Sequence, residues 1–140
     1  MDVSVESASP DFLENISAGR HALQADEPVS AGGQDAAPSP YELLLAALGA
    51  CTVVTLRMYA KRKGWPLQGV RLTLSHEKVH AEDCANCERP GSLIDRIDLR
   101  LQLVGELSAE QRHTLLAIAE KCPVHRTLTS EIQIHTLADL

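Results

Sequence analysis

Aromatic residues are scarce in this sequence: Phe, Trp and Tyr together make up 3% of its 140 residues. With so few rings, the chain has no platform on which the bases of single-stranded nucleic acid can stack. Basic residues are scarce in the first fifty positions, where Arg20 is the only base among eight acids, and the net charge of the chain is −6. A chain without a strong basic patch has little to attract a phosphate backbone. We therefore expect no nucleic-acid partner.

Long hydrophobic runs are missing as well. The longest run, Leu43 to Ala50, is far shorter than the roughly 20 apolar residues that cross a bilayer. No basic, apolar leader opens the sequence, so we expect a cytoplasmic protein without a membrane segment. Thiols stay reduced in that compartment, and the four cysteines therefore indicate redox chemistry, metal binding or buried thiols rather than structural disulfides.

The rest of the composition is typical of one globular domain, which we place over residues 1–140. Hydrophobic residues make up 44% and charged residues 23% of the chain, and this length is sufficient to bury a core. The order of apolar and polar residues predicts an α+β fold. The expected elements are strands near residues 2–8, 12–18 and 20–25, a loop at 28–38, a helix at 40–63, strands at 70–80 and 94–104, helices at 109–121 and from 122 onwards, and a closing strand at 131–136.

The long helix has the clearest signals. Ser39 and Glu42 form an S-x-x-E capping box around Pro40, and Gly64 ends the helix. Its first half has few polar positions and is expected to be buried on most sides. The residues expected to share its apolar face are Leu44, Leu48, Cys51, Thr55 and Met58. Later in the chain, the doubled polar pair at 95–96 predicts a bulge in its strand.

Two cysteines lie on predicted helices. Each alone fits a structural role, because free cysteine packs as a small hydrophobe. Cys122, however, precedes Pro123 at a helix start, where backbone N–H groups favour a thiolate, and His125 and Arg126 in the next turn add positive potential. Cys51 has no charged neighbour in its own turn, so a thiolate there requires a cation from elsewhere in the fold.

Two segments around these cysteines resemble a known family. Residues 38–52, Pro-Ser-Pro-Tyr-Glu-Leu-Leu-Leu-Ala-Ala-Leu-Gly-Ala-Cys-Thr, resemble the central-helix signature of the osmotically inducible and organic hydroperoxide resistance (OsmC/Ohr) proteins. Residues 118–125, Ile-Ala-Glu-Lys-Cys-Pro-Val-His, resemble their second cysteine motif. The resemblance covers about residues 20–136. It implies an OsmC-like fold, with antiparallel sheets around a long buried central helix, in a swapped homodimer whose active sites use both subunits.

The resemblance also implies an activity. Cys51 would attack an organic hydroperoxide and become a sulfenic acid, and Cys122 would resolve it as a disulfide that a dithiol reductant reopens. Family peroxidases usually carry a glutamate directly after the motif proline, paired with an arginine. Here that position is Tyr41, and Glu42 follows one residue, or roughly 100° of helix, later. Arg20 is the only base before Cys51 and is the expected activating arginine, with Arg126 as a second candidate.

The other two cysteines lie in a polar loop. His76, His80, Cys84 and Cys87 form an H-x3-H-x3-C-x2-C series of the residue types that zinc prefers. The two histidines, four apart on a strand, face the same side. A redox C-x-x-C and a solvent-facing loop are the alternatives.

Two functions from different classes follow. The first is a cysteine-based hydroperoxide reductase in oxidative stress defence, which the Cys51 and Cys122 pair favours. The second is a non-catalytic member of the same fold that binds an apolar ligand or a metal at the dimer interface, which Tyr41 in the glutamate position favours.

Overall fold

A three-stranded antiparallel meander begins the chain. In the computed structural model, which describes residues 1–80 and 92–139, β1 (Val3–Ser7), β2 (Glu14–Ala18) and β3 (His21–Ala25) lie in that order. Gly19, at a φ of 60°, supplies the left-handed residue of the β2–β3 turn. The meander was expected from the sequence and is confirmed. The chain divides into two compact units, Met1–Ala46 and Ala47–Leu140.

A buried carboxylate organises the loop after β3. Asp26 is 2% exposed and accepts backbone N–H groups from Glu27 at 2.8 Å, Gln34 at 3.3 Å and Ala36 at 3.0 Å. The loop contains one 3₁₀ turn, Val29–Ala31. Gly33 is required here, because a Cβ on it would lie 1.9 Å from the carbonyl oxygen of Glu27. Composition predicted a loop, and the carboxylate explains why it has a fixed shape.

The long helix α1 spans Pro40–Lys63, as predicted. Its capping box is formed: the Glu42 N–H donates to the Ser39 hydroxyl at 3.3 Å, and the Ser39 N–H donates to the Glu42 carboxylate at 2.7 Å. Gly64, at a φ of 69°, ends the helix in the left-handed conformation.

The buried face of α1 differs from the predicted one. Thr55 and Cys51 are half-buried at its edge, and Met58 is 68% exposed. The first half is not buried on most sides, since Leu44 is 37% exposed. In one chain α1 packs on one side only, along a stripe with i, i+4 spacing. That stripe consists of Leu48, Gly49, Thr52, Leu56 and Ala60.

The apolar character of α1 is also compatible with a membrane-spanning helix. Over an 18-residue window its mean hydropathy is 1.7 and 28% of that window is buried, so its length and composition would allow it to cross a membrane. The core helix of a soluble protein meets the same requirement, and here the stripe from Leu48 to Ala60 is in fact buried.

A long β-hairpin follows α1. β4 (Gly69–His80) and β5 (Leu93–Val104) pair antiparallel without interruption, so the predicted bulge at Asp95-Arg96 is wrong. The doubled polar pair instead marks a change of face. Asp95 lies on the side of the apolar residues, opposite Lys78, and accepts a hydrogen bond from its ammonium at 2.9 Å. Arg96 lies on the other side and pairs with Glu77 opposite.

Two short helices complete the second unit. The Ser108–Gln111 capping box is formed at the start of α2 (Ala109–Ala119), and α3 spans Pro123–Leu128. The core of this unit is formed by Leu56 and Ala60 of α1 with Leu115 and Ala119 of α2, against the apolar side of the hairpin. The overall arrangement is the predicted α+β class, with antiparallel sheets and one long helix.

The predicted closing strand at 131–136 is not formed. Residues 131–139 have no regular structure, and Ile134 is 86% exposed. A strand requires a neighbouring strand to accept and donate its backbone hydrogen bonds. Among the described residues no strand pairs with this segment.

Asp26 gives a pH-dependent prediction. The Ala36 N–H lowers the pKa of this carboxyl, burial opposes that effect, and the N–H groups of Glu27 and Gln34 lower the pKa further. A depressed pKa stabilises the folded protein at pH values above the unfolded pKa, and the stabilisation is lost as the pH falls through the folded value. We expect Asp26→Asn to lower the denaturant midpoint at pH 7 and to differ less from wild type as the pH approaches 3. Equal midpoints at pH 7 would contradict this role.

Candidate active site at a pair of cysteines

Cys51 and Cys122 come together within the second unit, although 70 residues separate them in the sequence. Cys51 lies on the edge of the buried stripe of α1 and is half-buried, whereas Cys122 is fully buried in front of α3. Both are free thiols, and the nearby Cys51 side chain lowers the pKa of the Cys122 thiol. The pair therefore has one accessible sulfur and one enclosed sulfur.

The chain around Cys122 forms a helix start built on a sulfur cap. Cys122 has the extended backbone of an N-cap residue (φ −60°, ψ 138°), and Pro123 occupies the first helical turn. The N–H of His125 donates to Cys122 Sγ at 3.3 Å. Serine or asparagine usually takes this role, so the sequence places a thiol where backbone donors converge.

Burial and the surrounding polar groups act in opposite directions on the pKa of Cys122. Burial raises the pKa of its thiol. The N–H groups of His125 and Val124 and the side chains of Cys51 and Thr52 lower the pKa by more, so that the net pKa of this thiol is below the ordinary value. The sequence predicted a favoured thiolate at Cys122 from its position before a helix, and the side chains of Cys51 and Thr52 on α1 shift its pKa in the same direction.

Thr52 is a residue of this site that sequence reasoning missed. Its side chain is fully buried, and its hydroxyl donates to the Leu48 carbonyl at 2.9 Å while lying beside the Cys122 sulfur. A polar residue next to Cys51 in an otherwise apolar helix was the available signal. Its function could not be read without the position of α3.

Two cavities adjoin residues next to the cysteines in the sequence or on the same helix. The larger, about 210 Å³, is bounded by Thr52, His125 and leucines of the hairpin and α2. The smaller, about 190 Å³, shares Ile97, Leu99 and His125 with it. His125 therefore lines both cavities while its backbone caps Cys122. The surfaces of both cavities are more apolar than polar.

The two arginines expected to activate Cys51 are both on the surface. Arg20 occupies the β2–β3 turn and Arg126 lies on α3; both are exposed. In residues 1–80 and 92–139 neither side chain forms a salt bridge. Tyr41 and Glu42 are in the first turn of α1, where Glu42 serves the capping box rather than a thiol. The role of Arg20 at Cys51 stays a prediction.

The predicted metal ligands are only partly described. His76 and His80 lie on the same side of β4, and His76 Nε2 is 2.8 Å from an Asp95 carboxylate oxygen. Cys84 and Cys87 lie outside the described residues. Within the ranges 1–80 and 92–139 no group of three potential metal ligands comes together.

A known protein family matches most of this chain. The profile of the family described as OsmC-like protein matches residues 32–136, which include both cysteines. A search of the curated proteins returned no match.

Solved structures share the fold at low sequence identity. An OsmC-like protein from Mycoplasma pneumoniae has a TM-score of 0.70 and 17% identity, over 91% of this chain and 85% of that one. An organic hydroperoxide resistance protein OsmC from Legionella pneumophila has a TM-score of 0.66 and 21% identity, over 91% and 88%. The organic hydroperoxide resistance protein OhrB of Bacillus subtilis has a TM-score of 0.61 and 18% identity, over 91% and 89%. With a family profile that matches three quarters of its length, this chain belongs to the OsmC-like protein family.

Proposed function

We propose that this protein is a thiol-dependent peroxidase that reduces organic hydroperoxides, with Cys51 as the peroxidatic and Cys122 as the resolving cysteine. One observation carries the proposal: the half-buried Cys51 thiol lowers the pKa of the fully buried Cys122 thiol, so two free thiols, one accessible and one enclosed, are neighbours. The names of the Legionella and Bacillus relatives, which refer to organic hydroperoxide resistance, support the same activity.

The chemistry uses both sulfurs. The Cys51 thiolate attacks the terminal oxygen of the hydroperoxide, an S–O bond forms as the O–O bond breaks, and the alkoxide takes a proton and leaves as an alcohol. Cys122 then attacks the Cys51 sulfur, and the S–O bond breaks with loss of hydroxide, which takes a proton to become water. A dithiol reductant supplies two electrons and two protons to restore both thiols.

The surroundings favour an apolar substrate. The cavities beside Thr52 and His125 are lined mainly by apolar side chains such as Leu99 and Leu116. Such a lining gives an alkyl or aryl group a favourable environment, whereas hydrogen peroxide gains nothing from it. We therefore assign organic hydroperoxides, rather than hydrogen peroxide, as the substrate class.

We further propose that the protein works as a cytoplasmic homodimer. α1 exposes Val54 and Met58, and the unpaired segment 131–139 exposes Ile132 and Ile134. A second copy would cover this apolar surface and would give the segment a strand to pair with. The family resemblance adds exchanged N-terminal strands, in which Arg20 of the dimer approaches Cys51.

Turnover of hydroperoxide tests the activity. With a dithiol reductant, we expect wild type to consume cumene and tert-butyl hydroperoxides and Cys51→Ser to lose this activity entirely. We expect Cys122→Ser to stop at a sulfenic acid on Cys51 that a dimedone-type reagent labels. Cys84→Ser serves as a matched control, because that cysteine has no part in the proposed chemistry. Cys51→Ser as active as wild type would refute the peroxidase assignment.

The second candidate function is non-catalytic binding, and it would be favoured if the peroxidase assignment were refuted. If peroxide-treated protein keeps both thiols, the apolar cavities would support a non-catalytic role in binding an apolar ligand or a metal. Tyr41 at the position where the family usually has glutamate favours this alternative.

The oligomeric state is tested by light scattering. At micromolar concentration we expect twice the chain mass of 15.2 kDa. We expect Met58→Lys to favour the monomer, because a charge would be placed in the covered surface, whereas a charge change at the solvated Glu110 should have no effect. A folded wild-type monomer would contradict the dimer.

The histidine and cysteine series remains a candidate zinc site. The pairing of His76 with Asp95 is the carboxylate–histidine arrangement that commonly orients zinc ligands. We expect protein purified without chelator to contain about one equivalent of zinc per chain and Cys84→Ser/Cys87→Ser to contain none. Wild-type protein that contains no metal and keeps its stability in chelator would contradict the zinc site. The alternatives would then be a redox C-x-x-C or a solvent-facing loop.

A further inference from the structure

The backbone of His125 is hydrogen-bonded on both sides in α3. Its N–H donates to Cys122 Sγ at 3.3 Å, and its carbonyl accepts the Thr129 N–H at 3.1 Å and the Thr129 hydroxyl at 2.9 Å. The same residue is half-buried and lines both apolar cavities. Because its backbone groups already have partners, the imidazole is the polar group that His125 offers to the cavities. The residue that caps the enclosed sulfur therefore also borders the space that we assign to the substrate.

The other polar side chains of the cavity walls do not offer a proton. Among the described residues they are Thr52, Asp95, Asp98, Glu120 and Thr129. The two hydroxyl protons are donated to backbone carbonyls, that of Thr52 to Leu48 and that of Thr129 to His125, both at 2.9 Å. An ionised carboxylate only accepts hydrogen bonds. Within the described part of the walls, His125 is thus the side chain that can give a proton to a molecule in the cavities.

The charged groups that face His125 come from β5, from the end of α2 and from α3 itself. The ion pairs at the walls are those of Asp95 with Lys78 and His76 and of Asp98 with Arg96. Glu120 forms no ion pair within residues 1–80 and 92–139, and Arg126 on α3 is exposed. An alkoxide that forms between apolar side chains and carboxylates is costly, because nothing there offsets its charge. Such a site requires a proton donor.

We propose that His125 is a catalytic residue of the peroxidase, the general acid that protonates the alkoxide as the O–O bond breaks. This inference rests on the proposed function. The Cys51 thiolate attacks the terminal oxygen, an S–O bond forms, and the electron pair of the O–O bond stays on the alkoxide oxygen. The protonated imidazole of His125 transfers a proton to that oxygen, an alcohol leaves, and the imidazole becomes neutral. Solvent returns a proton to His125, which balances the proton that Cys51 releases when it returns to a thiolate.

Leaving groups of different basicity test this role. An alkoxide is a strongly basic leaving group that gains from general-acid catalysis, whereas the weakly basic carboxylate released by a peracid leaves without a proton. Cumene hydroperoxide and perbenzoic acid both carry a phenyl ring, so an apolar cavity accepts either. The rate of Cys51 oxidation is measured in a single turnover by rapid acid quenching, alkylation of the remaining thiols and peptide mapping.

We expect His125→Gln to oxidise Cys51 with cumene hydroperoxide about a hundredfold more slowly than wild type, and to react with perbenzoic acid at a rate near wild type. Glutamine keeps the backbone N–H that donates to Cys122 Sγ, so the sulfur cap is preserved. His113→Gln is the matched control, because His113 is exposed on α2 and should leave both rates unchanged. His125→Asn provides the same comparison if the glutamine variant does not fold.

The outcomes separate the two proposals. Equal rates of wild type and His125→Gln with cumene hydroperoxide, or an equal loss of rate with both oxidants, would overturn the role of His125 and leave peroxidase activity standing. Wild-type protein whose Cys51 reacts with cumene hydroperoxide no faster than free cysteine would overturn the peroxidase function, and the role of His125 with it.

Discussion

The site depends on one requirement: a buried sulfur must be hydrogen-bonded if it is to ionise. Cys122 is fully buried, which by itself opposes a thiolate. The His125 N–H in the first turn of α3 donates to the sulfur at 3.3 Å, and the Val124 N–H and the side chains of Cys51 and Thr52 also lower the pKa of this thiol. The position of α1 relative to α3 is therefore part of the chemistry. The packing that holds these helices together therefore also influences the pKa of Cys122.

The second unit supplies that rigidity. Leu56 and Ala60 on one side of α1 pack with Leu115 and Ala119 of α2 over the apolar side of the hairpin. Thr52 lies one turn before Leu56 on the same stripe, so the interactions that bury the core also orient its hydroxyl. Gly49 on this stripe faces β4, where a Cβ on it would lie 2.8 Å from Leu74 Cδ1. The other side of α1 keeps its apolar residues exposed, and this is the surface that we assign to a second copy.

Sequence reasoning succeeded where a signal is local. Both capping boxes, the Gly64 stop and the start of α3 at Pro123 depend on residues within one or two turns, and each is formed as predicted. It failed where the answer depends on distant neighbours. The buried face of α1 is chosen by the hairpin and α2, and a segment such as 131–136 cannot be a strand without a partner strand. The polar pair at 95–96 fits two structures, a bulge or a change of face, and only the register distinguishes them.

The site shows the same difference between local signals, which could be predicted, and contacts between distant residues, which could not. Both cysteines were identified from their motifs, and the favoured thiolate at Cys122 followed from its position before a helix. Thr52 and the cavity-lining side chain of His125 escaped prediction, because their roles arise only when α1, α3 and β5 come together. The role of Arg20 depends on the dimer and was inferred from the resemblance alone.

Peptide mapping of protein treated with one equivalent of an organic hydroperoxide tests the central claim most directly. Reduced protein is oxidised, remaining thiols are blocked by alkylation, and the digest is analysed by mass spectrometry without reduction. Our account predicts a peptide that links Cys51 to Cys122, with Cys84 and Cys87 alkylated. Alkylated Cys51 and Cys122, or a disulfide confined to Cys84 and Cys87, would contradict it.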